Sequence, residues 1–322
     1  MSAPPPRGRE RADATAVAFT WHQLAFEELL GLVQRAEALG YAAAYVDGDV
    51  SQLASLGDRD VLDGWTVLTA LAQRTERIRL ASIRLVHHWN AARLAQSIAT
   101  FERIAPGRQR AFLAIGAHPA DRAFGLPFPP AADRIAWLDE TLAALRALWR
   151  GEVVTRRGRF VALEGARVRP ALASPPPIEL AAAGARMLGL VAEHADAWNI
   201  NVIPLPERIA AADRAFEAAC GKRGRAPAAV ERVLQIFARP RVAPGGAALT
   251  EAFRRFHPWF AAVPDPEIPR AVLCGGDAAA RAQLARMRAE LRVDLPVVDL
   301  TGLSPAEAAE ALDVFAPSSL RS

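Results

Sequence analysis

The stretch from Ile178 to Asn201, IELAAAGARMLGLVAEHADAWNIN, decides how this 322-residue chain is read. Ile178–Ala183 is a short apolar run that predicts a buried strand. Gly184 breaks it and opens a helix to His194, and Ala197–Asn201 returns to a strand pattern. Strand, helix and strand in close succession form the unit of a parallel sheet with crossover helices.

The same alternation extends in both directions. Upstream, strands are predicted over Ala14–Thr20, Ala42–Val46, Ile78–Val86 and Gln109–Ile115. Helices over Leu24–Leu39, Val61–Arg74, Ala91–Ile104 and Asp133–Trp149 separate them, with Gly40, Pro106-Gly107 and Gly151 as stops. Downstream come a helix over Leu205–Cys220 and a strand over Val230–Ala238. Helices over Ala247–Val263 and Asp277–Leu291, a strand over Leu295–Leu300 and a helix over Pro305–Phe315 complete the chain. Val153–Val168 reads as an inserted hairpin turning at Arg157-Gly158, and residues 247–270 read as a lid-like insertion. Eight strands with intervening helices predict an α/β fold, a (β/α)8 TIM barrel, over residues 14–322 as one domain. The rival is an open doubly wound sheet, weakened because no G-x-G-x-x-G follows the first strand.

Composition narrows the function classes. Hydrophobic residues make up 52% and charged residues 23%, enough for a large core. No apolar run reaches the roughly 20 residues of a membrane span. Residues 1–13 are rich in Pro and Arg and read as a disordered leader, not a signal peptide. Net charge is +4 and the pI is near 9.8. The arginines are spread among acidic residues, not clustered in a stripe, which argues against nucleic acid and leaves a mild pull on anionic ligands. Cys220 and Cys274 match neither a disulfide framework nor a metal spacing, so a reduced, cytoplasmic setting is expected.

In a barrel, the loops after the strand ends build the active site. Here they are Thr20-Trp21-His22, Asp47-Gly48-Asp49, Arg84–Asn90, Gly116-Ala117-His118, Gly184-Ala185-Arg186 and Trp198–Asn201. They hold no metal spacing, no G-x-S-x-G elbow and no Walker loop. Such a mouth, rich in Trp, His and Asn, suits a flat organic cofactor that carries the chemistry itself. Gly184-Ala185-Arg186 also has the makings of a phosphate corner. Glycine permits close approach, the first helical N–H groups donate, and Arg186 adds charge. An ordinary strand-to-helix turn would read the same way.

Ordered segments along the chain resemble the bacterial luciferase-like monooxygenase family. They are Ala36-Glu37-Ala38-Leu39-Gly40-Tyr41, Leu68–Leu80, Pro106-Gly107-Arg108, Leu138-Asp139-Glu140 through Gly151, Gly184–Leu188 and Ala195-Asp196-Ala197-Trp198. The resemblance implies a luciferase-like oxidoreductase. Either coenzyme F-420 supports hydride transfer, or FMN supports monooxygenation as in a flavoprotein, on a small organic substrate, and the enzyme is a homodimer. It places the cofactor phosphate at Gly184, Ala185, Arg186 and Met187. It places the ring near Gly116 and over a bulge at Ile83-Arg84 with a non-proline cis peptide. Where the family has an acid and a histidine, this chain has Gly48 and Asp49. Where the family has Arg/His-Pro, it has Asn90-Ala91, and where the family has G-x-G, it has Gly116-Ala117-His118. His118 and Asp49 are therefore the catalytic candidates, His118 because an imidazole pKa of about 6.5 suits proton transfer. Trp21, His87, His88, Trp89 and Trp198 are the expected substrate-pocket residues. The departures also permit a different class of protein, a non-catalytic flavin-binding or ligand-binding barrel. A phosphate-binding isomerase or aldolase lacks its usual Lys and Glu.

Overall fold

The computed structural model describes residues 13–19, 24–46, 48, 62–116, 122, 124–257 and 260–317. Among them the chain runs through β1 (Ala16–Phe19), α1 (Phe26–Ala38), β2 (Ala43–Val46), α2 (Gly64–Gln73), β3 (Arg79–Ser82) and its continuation β4 (Arg84–Leu85). Next come α3 (Ala91–Ile104), β5 (Gln109–Ala114), α4 (Ala131–Trp149), the antiparallel hairpin β6 (Val154–Arg157) and β7 (Ala162–Ala166), β8 (Ile178–Ala182), α5 (Ala185–His194) and β9 (Ala197–Ile200). The last stretch holds α6 (Pro206–Lys222), β10 (Glu231–Arg239), α7 (Ala247–Phe256), α8 (Ile268–Ala271), β11 (Leu273–Cys274), α9 (Asp277–Glu290), β12 (Leu295–Asp299) and α10 (Pro305–Val314).

Eight of these strands close into a parallel ring. The order is β12, β1, β2, β3 with β4, β5, β8, β9 and β10, and β10 pairs back onto β12 through Val233↔Leu295. This is the (β/α)8 barrel the alternation predicts. Because strand side chains alternate between faces, one set lines the lumen: Ala16, Ala18, Ala43, Tyr45, Ala81, Phe112, Val233 and Val297. The opposite set, including Val17, Leu80, Leu113, Leu180, Trp198 and Ile236, packs outward with the helices. Each fully buried Leu or Val contributes about 1.5–3 kcal/mol.

Polar side chains also pin the wall. In the lumen Arg110 donates to Glu179 and to Glu231, each at 2.6 Å, and Glu179 also accepts from Tyr45 and Asn199. Five strands are thereby tied across the barrel axis. At the strand starts Glu37 accepts from the backbone N–H groups of Glu76, Arg77 and Ile78. Arg108 donates to the carbonyls of Ala72, Thr75 and Ile78. Glu140 accepts from Arg159, Phe160 and Val161, which fixes the hairpin turn against α4.

Two expectations need correction. The helix expected over Ala247–Val263 ends at Phe256, since His257 precedes a proline and leaves helical geometry at φ −129°, ψ 58°. The Ile83–Arg84 peptide is trans. Leu80 and Ala81 pair with Gln109 and Arg110, and Arg84 and Leu85 pair with Leu113 and Ala114 at the same offset. The strand is interrupted without an inserted residue, and a cis non-proline bond would cost about 3–4 kcal/mol. Among the described residues no helix is long and apolar enough to cross a membrane.

Candidate active site

The mouth at the strand C-termini has two unlike halves. On the first, β8 hands over to α5 at Gly184. Residues 183–186 are exposed, while Met187 is buried. Gly184 has φ −86°, ψ 156°, a geometry any residue adopts, and a Cβ there would meet nothing within 4 Å. The corner has room that the chain itself does not fill. No side chain caps α5, so its first N–H groups face outward unpaired within the helix. With the helix dipole behind them and Arg186 exposed beside them, they suit a phosphate.

The loop after β4 adds aromatic and imidazole surface. His87, His88, Trp89, Asn90 and Ala91 line a cavity of about 280 Å³, closed on its far side by Trp137 of α4 and by Phe160 and Val161 of the hairpin. Trp137 stacks on Phe160 at 5.5 Å. His87 is buried and packs against Gly116, where a Cβ would come within 3.0 Å of its ring. Gly116 has φ +71°, which favours glycine there, and its carbonyl accepts from Arg134. Asn90 caps α3 by accepting from Ala92 and Arg93. That is what the departure from Arg/His-Pro accomplishes. Gly48 lies so close to Ile83 that a Cβ would sit 1.8 Å from the Ile83 carbonyl oxygen and 2.9 Å from Arg84 Nη1.

The second half is closed by the chain's own groups. Asp299, ending β12, accepts from Gln235 at 2.8 Å, from the Thr301 N–H at 2.9 Å and from His257 Nε2 at 2.9 Å. Burial pushes the Asp299 carboxyl up, but these donors and the His257 charge outweigh it and hold the pKa at about 2. An ionised carboxylate only accepts, so His257 Nε2 carries the shared proton. Phe253 and Phe260 stack on the His257 ring, and Phe237 meets it edge-on at 4.6 Å. Arg239 donates to the carbonyls of Ala238 and Thr301 and lies 4.0 Å over Phe237. Burial lowers its pKa to about 10.

The structure thus brings His87, His88 and Trp89 together around one cavity and leaves the Gly184 corner open. Ile83 packs against the lumen cluster. Trp198 does not reach the mouth. It is fully buried on the helix side, donating to the Ala182 carbonyl and packing 4.7 Å from Phe216. Trp21, Asp49 and His118 lie outside the described residues. Sequence reasoning missed Asp299, Gln235 and Arg239. The available signal was an acid closing a strand of otherwise apolar residues.

The sequence profile of the luciferase-like monooxygenases matches residues 8–296. A phthiodiolone/phenolphthiodiolone dimycocerosates ketoreductase of Mycobacterium kansasii is 30% identical over 214 residues, 63% of this chain and 55% of the relative. An F-420-dependent glucose-6-phosphate dehydrogenase of Beutenbergia cavernae is 30% identical over 165 residues, 50% of this chain and 48% of the relative. The chain therefore spans about half the length of these curated relatives. A solved F-420-dependent secondary alcohol dehydrogenase, in complex with an F-420–acetone adduct, has a TM-score of 0.80 at 17% identity. That match covers 96% of this chain and all 100% of the other. The monooxygenase RslO1 of Streptomyces bottropensis has a TM-score of 0.74 at 20% identity, covering 94% of this chain and 98% of the other. These two likenesses establish the shared fold. With the profile matched over most of its length and the barrel closed as that fold requires, the chain belongs to the luciferase-like monooxygenase family.

Proposed function

We propose that the barrel is an oxidoreductase holding coenzyme F-420 or FMN at its C-terminal mouth, with the cofactor phosphate on Gly184, Ala185, Arg186 and Met187. The observation that carries the reading is the open Gly184 corner, a helix start with room for a phosphate and no internal cap. In this reading the ring lies over Ile83-Arg84 and beside Gly116. The cavity of His87, His88 and Trp89 takes the substrate. When bound, F-420 supplies hydride transfer, and reduced FMN supplies oxygen activation. The chain's part is to hold the phosphate, exclude water with the aromatic walls and supply a proton. His118 and Asp49 are the proposed proton-handling residues. Two curated relatives carry F-420 dependence in their names, which favours the deazaflavin. The same proposal includes one barrel domain over residues 14–322, a small organic substrate, a homodimer and a cytoplasmic setting, the last consistent with two buried, unbridged cysteines.

The test is a fluorescence titration of the purified chain with F-420 and FMN in parallel. Saturable quenching by either supports the reading, and binding of neither overturns it. A second reading, a non-catalytic flavin-binding or ligand-binding barrel, is favoured by Gly48, where the Ile83 carbonyl leaves no space for a side chain. It predicts cofactor binding with no turnover across a substrate panel. Turnover would refute it.

A further inference from the structure

Five arginines are buried among the described residues: Arg84, Arg110, Arg134, Arg232 and Arg239. Four have obvious partners. Arg110 is held by two carboxylates, as described above. Arg134 donates to the carbonyls of Ile115, Pro129 and Gly116. Arg232 donates to the carbonyls of Arg292 and Leu291 and pairs with Asp213 at 2.6 Å. Arg239 donates to those of Ala238 and Thr301.

Arg84 differs. Its side chain donates from Nη1 alone, to Ser82 Oγ at 2.6 Å and to the Ile83 carbonyl at 3.1 Å. Its Nε and Nη2 are buried with no hydrogen-bond acceptor, and the residue is only 4% exposed. Trp65 lies 4.5 Å and Trp89 5.9 Å from the guanidinium. These cation–π contacts offset part of the desolvation but satisfy no N–H. Asp63, whose charge acts on it, is already occupied, accepting from the N–H and hydroxyl of Thr66 as the cap of α2. Burial without a carboxylate partner lowers the pKa of Arg84 to about 9.

A buried charge with an unfilled donor edge is costly, and natural structures keep one where an ion or ligand completes it. The unfilled edge, Nε with Nη2, is the side of a guanidinium that grips a carboxylate or phosphate through two parallel hydrogen bonds. It stands at the C-terminal end of the third barrel strand, and Trp89 both flanks it and lines the 280 Å³ cavity.

We propose that Arg84, walled by Trp65 and Trp89, receives an oxyanion carried by the substrate, so that the substrate class is a small organic carboxylate or phosphate. This rests on the reading of the mouth as the reaction site. The same chemistry has a second source, an anionic tail of the cofactor, and the experiment separates the two.

The melting temperature of the wild type, Arg84→Met and Arg84→Lys is followed against inorganic phosphate and acetate at constant ionic strength, without and with saturating cofactor. Cofactor affinity is titrated separately. The wild type is expected to rise saturably by about 2–4 °C. Arg84→Met is expected to show no rise and to melt no lower than the wild type without anion, because it removes an uncompensated cation. Arg84→Lys keeps the charge, loses the fork and responds weakly. Unchanged cofactor affinity in Arg84→Met assigns the oxyanion to the substrate, whereas a fall of tenfold or more assigns it to the cofactor and overturns the substrate claim. An unresponsive wild type, or an Arg84→Met variant that melts far lower with no anion present, shows Arg84 to be a structural clamp and overturns the proposal. If neither cofactor binds the wild type, the functional reading fails, while the anion response of the apo chain still reports on Arg84.

Discussion

The two halves of the barrel mouth use similar residue types for opposite ends. Around β10 and β12, donors meet acceptors of the chain: Gln235, His257 Nε2 and the Thr301 N–H on Asp299, and Arg239 on two carbonyls. Around β3, β5 and β8 the accounts are left open. The Gly184 corner is uncapped, the Arg84 fork lacks an acceptor, and a cavity separates Trp89 from Trp137. Buried polar groups satisfied from within hold a fold together. Groups left unsatisfied at a strand end mark where a ligand completes the structure.

The largest expected effect lies on the closed half. Asp299→Ala removes the anion that His257, Gln235 and the Thr301 N–H share, and leaves buried donors without an acceptor. Breaking a buried pair in this way costs about 3–5 kcal/mol, or roughly 6–10 °C in melting temperature, measured by calorimetry. A melting temperature within a degree or two of the wild type would erase the contrast between the halves.

Acid sensitivity follows from the same carboxylate. Its pKa falls from the ordinary 3.8 to about 2 on folding. A depressed carboxyl stabilises the folded state above its unfolded pKa, and that stability drains away as pH drops from about 4 toward about 2. The contribution is on the order of 2 kcal/mol. Denaturant unfolding at several pH values should show this acid loss in the wild type and its absence in Asp299→Asn.

The smallest effect belongs to the open half. Asn90→Ala loses the cap of α3, for about 1 kcal/mol of stability. Because Asn90 also lines the cavity, substrate affinity should change with it while cofactor affinity holds. Equal losses of both would place the cavity and the cofactor on one site.

The barrel was legible in the sequence because each strand–helix unit announces itself by period and by its glycine and proline stops. All eight strands lie within a residue or two of their expected places, apart from the interruption at Ile83. Three residues from the segments that carried the family resemblance prove to be scaffold. Glu37, Arg108 and Glu140 each gather backbone groups of a neighbouring element. Recognising them identifies the fold and says little about chemistry. The site was less legible for three physical reasons. A parallel strand is apolar on both faces, so nothing in AWNI shows that Trp198 points outward to α6. The His257–Asp299 bond joins residues 42 apart in the chain. Arg84 looks like any other arginine until its missing partner is seen.

The most direct test of the central claim is cofactor affinity in Gly184→Val, read beside its melting temperature. The backbone angles and free space at Gly184 accept valine without strain, so the melting temperature should match the wild type. Two branched methyls would bar phosphate from the α5 N–H groups. Losing one or two charge-assisted hydrogen bonds should cut affinity for F-420 or FMN by roughly 10–100-fold. A folded Gly184→Val variant that binds its cofactor as tightly as the wild type would contradict a phosphate seat at this corner.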